Sequence, residues 1–217
     1  MEKHIKGYSF LRGFLGFGFK LVYQIKITGK ENIPVSGPVV VCGNHNHVHD
    51  QFPVILSTKR MIHYMAKKEY FDGKMAWFFR MAGCIPVDRS IKDESAKEEA
   101  ISILEELYND KKIDYNFYKK YVINVKEGLK HLVDDNIITL EEYNDSLLLP
   151  LKFGAVSMAK KTDSVIVPFA SNGEYKLFGK RPKVKIGEGF KVSDMSLEDA
   201  NNKLRKEIIS LLVDILD

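Results

Sequence analysis

The chain has 217 residues, 45% hydrophobic and 29% charged, enough to bury one α/β-sized core and too polar for a multi-span membrane protein or a disordered one. Its 33 Lys and Arg against 29 Asp and Glu give a net charge of +4, which favours anionic partners such as phosphates or acidic lipid surfaces without identifying one. Two cysteines, Cys42 and Cys84, lie in apolar runs and suit small buried hydrophobes in a reducing compartment better than a disulfide.

Residues 1–28 contain a stretch, GYSFLRGFLGFGFKLVYQIKI, that is interrupted by Arg12 and Lys20. It therefore falls short of the ~20 apolar residues a membrane span needs, and no small-residue cleavage site follows it. Phe10, Phe14, Phe17 and Leu21 recur at helical spacing, with Leu11, Leu15 and Val22 beside them and Lys3, Lys6, Arg12, Lys20 and Lys26 supplying positive charge. Such a helix either lies in a membrane interface or packs on the protein's own core, and the glycines at 13, 16 and 18 weaken it in both cases.

After the turn residues of ENIPVSGP comes VVVCG, a β-branched run expected as a buried strand. A short helix over 51–56, a strand at MIHYMAK, a helix at KMAWFFRMAG ended by Gly83 and a strand at CIPVD follow. KDESAKEEAISILEELYND reads as a helix. The next segment, about 110–146, reads as a helical insertion, with one helix presenting Tyr118 to Leu132 and a second opened by a Thr139/Glu142 capping box. The α/β pattern resumes with FGAVSMAKK (helix), SVIVPFA (buried strand), PKVKIGEGF (an alternating edge strand) and a last helix carrying Leu204, Ile208, Leu211, Leu212 and Ile215. No internal repeat is evident. The alternation implies an α/β fold with a mixed, partly parallel sheet flanked by helices, in which ligands sit at the carboxyl ends of strands.

At one such end lies GNHNHVHD, with His45, His47 and His49 on alternate residues and Asp50 after them. Three same-facing imidazoles suit zinc, and HNHVHD approaches the H-x-H-x-D-H motif of metallo-β-lactamase-like hydrolases with its last two residues transposed. Alternatively His45 and Asp50 form a dyad in which the carboxylate fixes the tautomer and stabilises the imidazolium that forms when the other ring nitrogen takes a proton. A satisfied surface histidine is the third reading. A backbone N–H at the start of the following helix is the candidate oxyanion donor.

Asn44, His45 and Asp50 resemble the N-H-x-x-x-x-D block of the 1-acylglycerol-3-phosphate acyltransferases, GCIPVDRS resembles that family's second block, and LLPLKFGAVSMAKKTDSVIVPFA resembles the stretch from the third block into the fourth. The resemblance implies His45 as general base, Asp50 as its partner and no metal or cofactor. It implies Asn44, Arg89 and Pro168 as substrate-binding positions, Arg89 for the acceptor phosphate. The third block, F-P-E-G-T-R-S, is absent, which leaves Lys152 as the nearest basic residue to replace it and acceptor binding as the point of departure.

The function so implied is transfer of a fatty acyl chain from an acyl carrier protein or coenzyme A thioester to the sn-2 hydroxyl of lysophosphatidic acid, as in phospholipid biosynthesis, with no nucleic-acid partner. The alternatives are a zinc hydrolase using the three histidines and a non-catalytic lipid-binding relative. The expected organisation is a membrane-interface segment over 1–28 and an acyltransferase domain over 29–217, peripheral on the cytoplasmic face of the cell membrane.

Overall fold

The computed structural model describes the chain apart from Met1, Asn46, residues 88–94, 122–123, Leu149, residues 177–180 and Asp217, and gives no side-chain account of residues 2–6 and 95–100. Two compact units emerge: Met1–Ser90 with Lys152–Asp217, and Ile91–Leu151.

The larger unit is built on a four-stranded sheet in the order β1(Lys26–Thr28), β6(Lys183–Ile186), β5(Val165–Ser171), β2(Val39–Gly43). The pairs β1/β6 and β2/β5 are parallel and β5/β6 is antiparallel, so the sheet is mixed. β6 is interior, not at the edge as its alternation suggested, because the three-residue β1 completes the sheet beside it; the alternation instead reflects Val184 and Ile186 buried between Lys183 and Lys185.

β5 sends Val165, Val167 and Phe169 into a cluster with Val54 of α2(Gln51–Ser57), while α8(Gly154–Lys161) and α9(Leu197–Leu216) also pack on the sheet. Between the Ile166↔Phe190 and Phe169↔Ile186 pairings the partner segment carries one extra residue, a bulge at 187–189. Pro168 falls at this bulge, where a missing N–H is tolerated, and its carbonyl accepts from Gly187 N–H at 2.8 Å.

The expected strands at 61–67 and 84–88 shorten to β3(Met65–Lys67) and β4(Ile85–Val87), which pair with each other in a separate two-stranded sheet. Between them α3(Ala76–Met81) ends in the turn at Gly83, whose φ of 74° suits glycine. The N-terminal helix α1(Glu2–Tyr23) contacts α2 and α3, and it divides its apolar residues between two faces. Tyr8 and Phe19 are buried, and Arg12 Nε donates to the Ile55 carbonyl at 3.0 Å. Phe10, Phe14, Phe17 and Leu21, each about 70% exposed, form a second stripe that no described residue covers.

The smaller unit holds α4(Ser95–Asn109), α5(Tyr115–Tyr121), α6(Val125–Asp134) and α7(Leu140–Ser146) around its own core. The single helix expected across Tyr118 to Leu132 is two, α5 and α6. They cross so closely that a Cβ on Gly128 would lie 2.6 Å from Tyr121 Cβ. The Thr139/Glu142 capping box is formed.

This unit is also internally duplicated, contrary to the absence of repeats read from sequence. Leu104, Leu107 and Ile113 recur twenty-five residues later as Leu129, Leu132 and Ile138, all buried. Lys111 and Asn136 share positive φ values of 59° and 56°. Ile113 N–H bonds Leu107 O as Ile138 N–H bonds Leu132 O, and Asp114 and Thr139 cap the following helices. Few identities accompany the shared backbone, since the motif needs only apolar side chains, one left-handed residue and a cap.

Candidate active site

The site grows from the carboxyl ends of the adjacent parallel strands β2 and β5. Asn44, directly after β2, sends Nδ2 to the Ser171 carbonyl at 2.7 Å and receives the Ser171 N–H on Oδ1 at 2.8 Å, so its side chain continues the ladder that the backbone has left. The chain then folds into a turn in which Asp50 N–H donates to the His47 carbonyl at 3.0 Å, and α2 begins.

That turn brings Asp50 beneath His45. Asp50 is 1% exposed and its Oδ2 lies 3.4 Å from His45 Nδ1, while the His45 side chain is 63% exposed. The same oxygen accepts the His47 N–H at 2.7 Å and the other oxygen accepts Ser171 Oγ–H at 2.8 Å. Burial pushes the Asp50 carboxyl up, but hydrogen bonds from His45, the His47 backbone, Ser171 and Tyr175 outweigh it and hold the group below the usual carboxylate range. A buried anion thus faces an exposed imidazole, which is the arrangement that fixes a tautomer and stabilises an imidazolium.

His47 and His49 do not join it in a metal site. His47 Nδ1 accepts the His49 N–H at 3.2 Å, and the two rings pack on each other with centroids 4.7 Å apart. Among the described residues no three His, Cys, Asp or Glu side chains gather as a metal-holding group. The backbone N–H groups expected to meet an oxyanion are largely spent on the turn itself, those of His47, His49, Asp50 and Phe52 all having partners within it.

Two residues expected to bind substrate have other work. Asn44 is 3% exposed with both ends of its amide on Ser171, so it braces the loop. Pro168 is buried inside β5 and serves the sheet. Lys152 is exposed just ahead of α8, and Arg89 lies outside the described residues.

Beside His45 opens a cavity of about 610 Å³. Its lining is mostly apolar, with Leu11 and Leu15 from α1, Phe52 and Ile55 from α2, and Phe79 from α3. Its size and apolar walls fit a small-molecule site rather than a packing defect.

The sequence model of the acyltransferase family matches residues 24–172, which include His45, Asp50 and Ser171. The chain belongs to the acyltransferase family. This acyltransferase is 29% identical over 196 residues to the 1-acyl-sn-glycerol-3-phosphate acyltransferase of Bacillus subtilis (strain 168), covering 87% of the present chain and 85% of that protein. Its fold is similar to the crystal structure of the 1-acyl-sn-glycerophosphate (LPA) acyltransferase from Thermotoga maritima, with a TM-score of 0.54 and 17% identity over 97% of this chain and 86% of the other. The acyltransferase's sequence advertises the dyad but not Ser171 or Tyr175, which also hold Asp50. Both follow the VIVPFA run without a motif of their own, and only the pairing of β5 with β2 brings them to the carboxylate.

Proposed function

We propose that this acyltransferase moves a fatty acyl chain from an acyl carrier protein or coenzyme A thioester to the sn-2 hydroxyl of 1-acylglycerol 3-phosphate, giving phosphatidic acid. The observation that carries the reading is the His45–Asp50 pair standing at an apolar cavity. Nδ1 of His45 faces Asp50, which leaves Nε2 to take the proton from the acceptor hydroxyl. The freed oxygen attacks the thioester carbonyl, and the tetrahedral adduct collapses with loss of the thiolate. His45 returns its proton to that thiolate, with Asp50 stabilising the imidazolium in between. The acyl chain occupies the cavity between α1, α2 and α3, and Arg89 and Lys152 meet the acceptor phosphate, Arg89 by forked charge-assisted hydrogen bonds.

The site works at a membrane surface. The exposed Phe10, Phe14, Phe17 and Leu21 stripe supports this, because α1 buries its other face and supplies Leu11 and Leu15 to the cavity, so a helix lying in the lipid interface also walls the acyl site. No helix among the described residues is long and apolar enough to cross a membrane. We place the protein peripherally on the cytoplasmic leaflet.

The deciding experiment is phosphatidic acid formation from lysophosphatidic acid with each acyl thioester in turn. His45→Ala is expected to lose about 10²–10⁴-fold in rate while the protein still folds, since the side chain is exposed and Asp50 keeps its bonds from the His47 N–H and Ser171. Absence of turnover by the wild type with both donors leaves the lipid-binding alternative. Replacing Phe10, Phe14 and Phe17 by Ser is expected to lower co-sedimentation with anionic liposomes without changing stability; undiminished binding removes the membrane assignment.

A further inference from the structure

We infer that Ser171 and Tyr175 are positioning residues that aim the Asp50 carboxylate at His45. The inference rests on His45 acting as the base. A carboxylate turns easily about its last torsion, so burial alone does not fix the angle at which an oxygen is presented to the histidine. Ser171, opposite the His47 N–H, fixes it. Its hydroxyl donates to Asp50 Oδ1 at 2.8 Å, and Oδ2 is thereby left for the His47 N–H and His45 Nδ1.

Having one proton, which goes to Asp50, the Ser171 hydroxyl accepts from its other neighbours. These are the Gly173 N–H at 3.2 Å and the Tyr175 hydroxyl at 3.3 Å. Tyr175 also reaches the Asp50 carboxylate, so its one proton is shared between Ser171 Oγ and Asp50. Burial first, and the nearby carboxylate as well, push the Tyr175 hydroxyl far above its usual range, so it stays protonated and donates. Ser171 and Tyr175 are 1% and 9% exposed, so water does not compete for these bonds.

The Tyr175 ring holds the same turn from its other side. It stacks on His47 with centroids 4.9 Å apart and meets His49 edge-on at 5.5 Å. Phe19 and Tyr23 of α1 close the cluster at 5.9 and 5.7 Å. One residue therefore fixes the carboxylate through its hydroxyl and the histidine-bearing turn through its ring.

The test is a set of double-mutant cycles read in steady-state acyl transfer. Ser171→Ala and Tyr175→Phe are each expected to lower kcat about tenfold with KM for either substrate changed by less than about twofold, because aim and not substrate contact is lost. In an Asp50→Asn background neither substitution should lower kcat further. Unchanged kcat in both single variants, or losses that multiply in the Asp50→Asn background, would overturn the assignment. Should Ser171→Ala fail to fold, Tyr175→Phe, which keeps the ring cluster, decides the matter alone. Failure of the base reading is separately visible as wild-type kcat in His45→Ala.

Discussion

The Asn44 carboxamide and the Ser171 backbone form a two-point pair, at 2.7 and 2.8 Å, that ties the histidine-bearing loop to the end of β5. Asn44→Ala leaves a buried N–H and a buried C=O without partners, a loss of about 2–4 kcal/mol of folding stability. Urea unfolding measures it, and a change within experimental error would show that water replaces the amide.

Gly43 precedes that pair and lies against β5, where an added Cβ would approach the Phe169 carbonyl oxygen to 2.1 Å. Backbone cannot give way as a flexible side chain can. Gly43→Ala is expected to cost about 1–3 kcal/mol and to reduce acyl transfer by more than Gly13→Ala, whose Cβ meets nothing within 4 Å.

The His49 imidazole has its affinity for a proton lowered from 6.5, by burial first and His47 second, with Asp50 opposing them. The unfolded chain therefore binds the extra proton more readily. The stability tied to neutral His49 is complete above about pH 6.5 and is lost as pH falls through the lower folded-state value. A wild-type thermal midpoint that drops over that interval more steeply than that of His49→Phe, which keeps an aromatic ring among Phe19, Tyr23 and Phe52, is the expected result. Parallel pH curves for the two proteins would refute it.

Leu132 is fully buried at the centre of the helical unit's own cluster. Leu132→Ala is expected to cost that unit about 2–5 kcal/mol. With a separate core in each unit, calorimetry should resolve a transition that Leu132→Ala lowers and a second that it leaves in place. A single transition shifted as a whole would mean that the cores unfold together.

Much of the fold was legible because its signals are local. VVVCG and VIVPFA are β-branched runs of strand length, Gly83 ends a helix where φ must be positive, and the Thr139/Glu142 pair caps α7 as its spacing requires. The dyad was legible because both members lie in one octapeptide. What escaped depends on partners distant in sequence. Pairing with β1 puts β6 inside the sheet, and the β2/β5 ladder turns Asn44 into a brace and brings Ser171 under Asp50. The duplication in the helical unit escaped for a different reason, since Lys111 and Asn136 share a conformation and not a chemistry.

The pairing of Asn44 with a residue 127 positions further on has a consequence for biosynthesis. A nascent chain carries the whole histidine turn early, yet it lacks every group that β5 and the loop after it supply to Asn44 and Asp50. The intervening helical unit closes its own core, which shortens the effective loop that must be spanned before the two parallel strands meet. Competence for acyl transfer is thus expected to appear late and at once, when β5 docks, and a chain released before Ser171 would carry the histidine turn without the means to hold it.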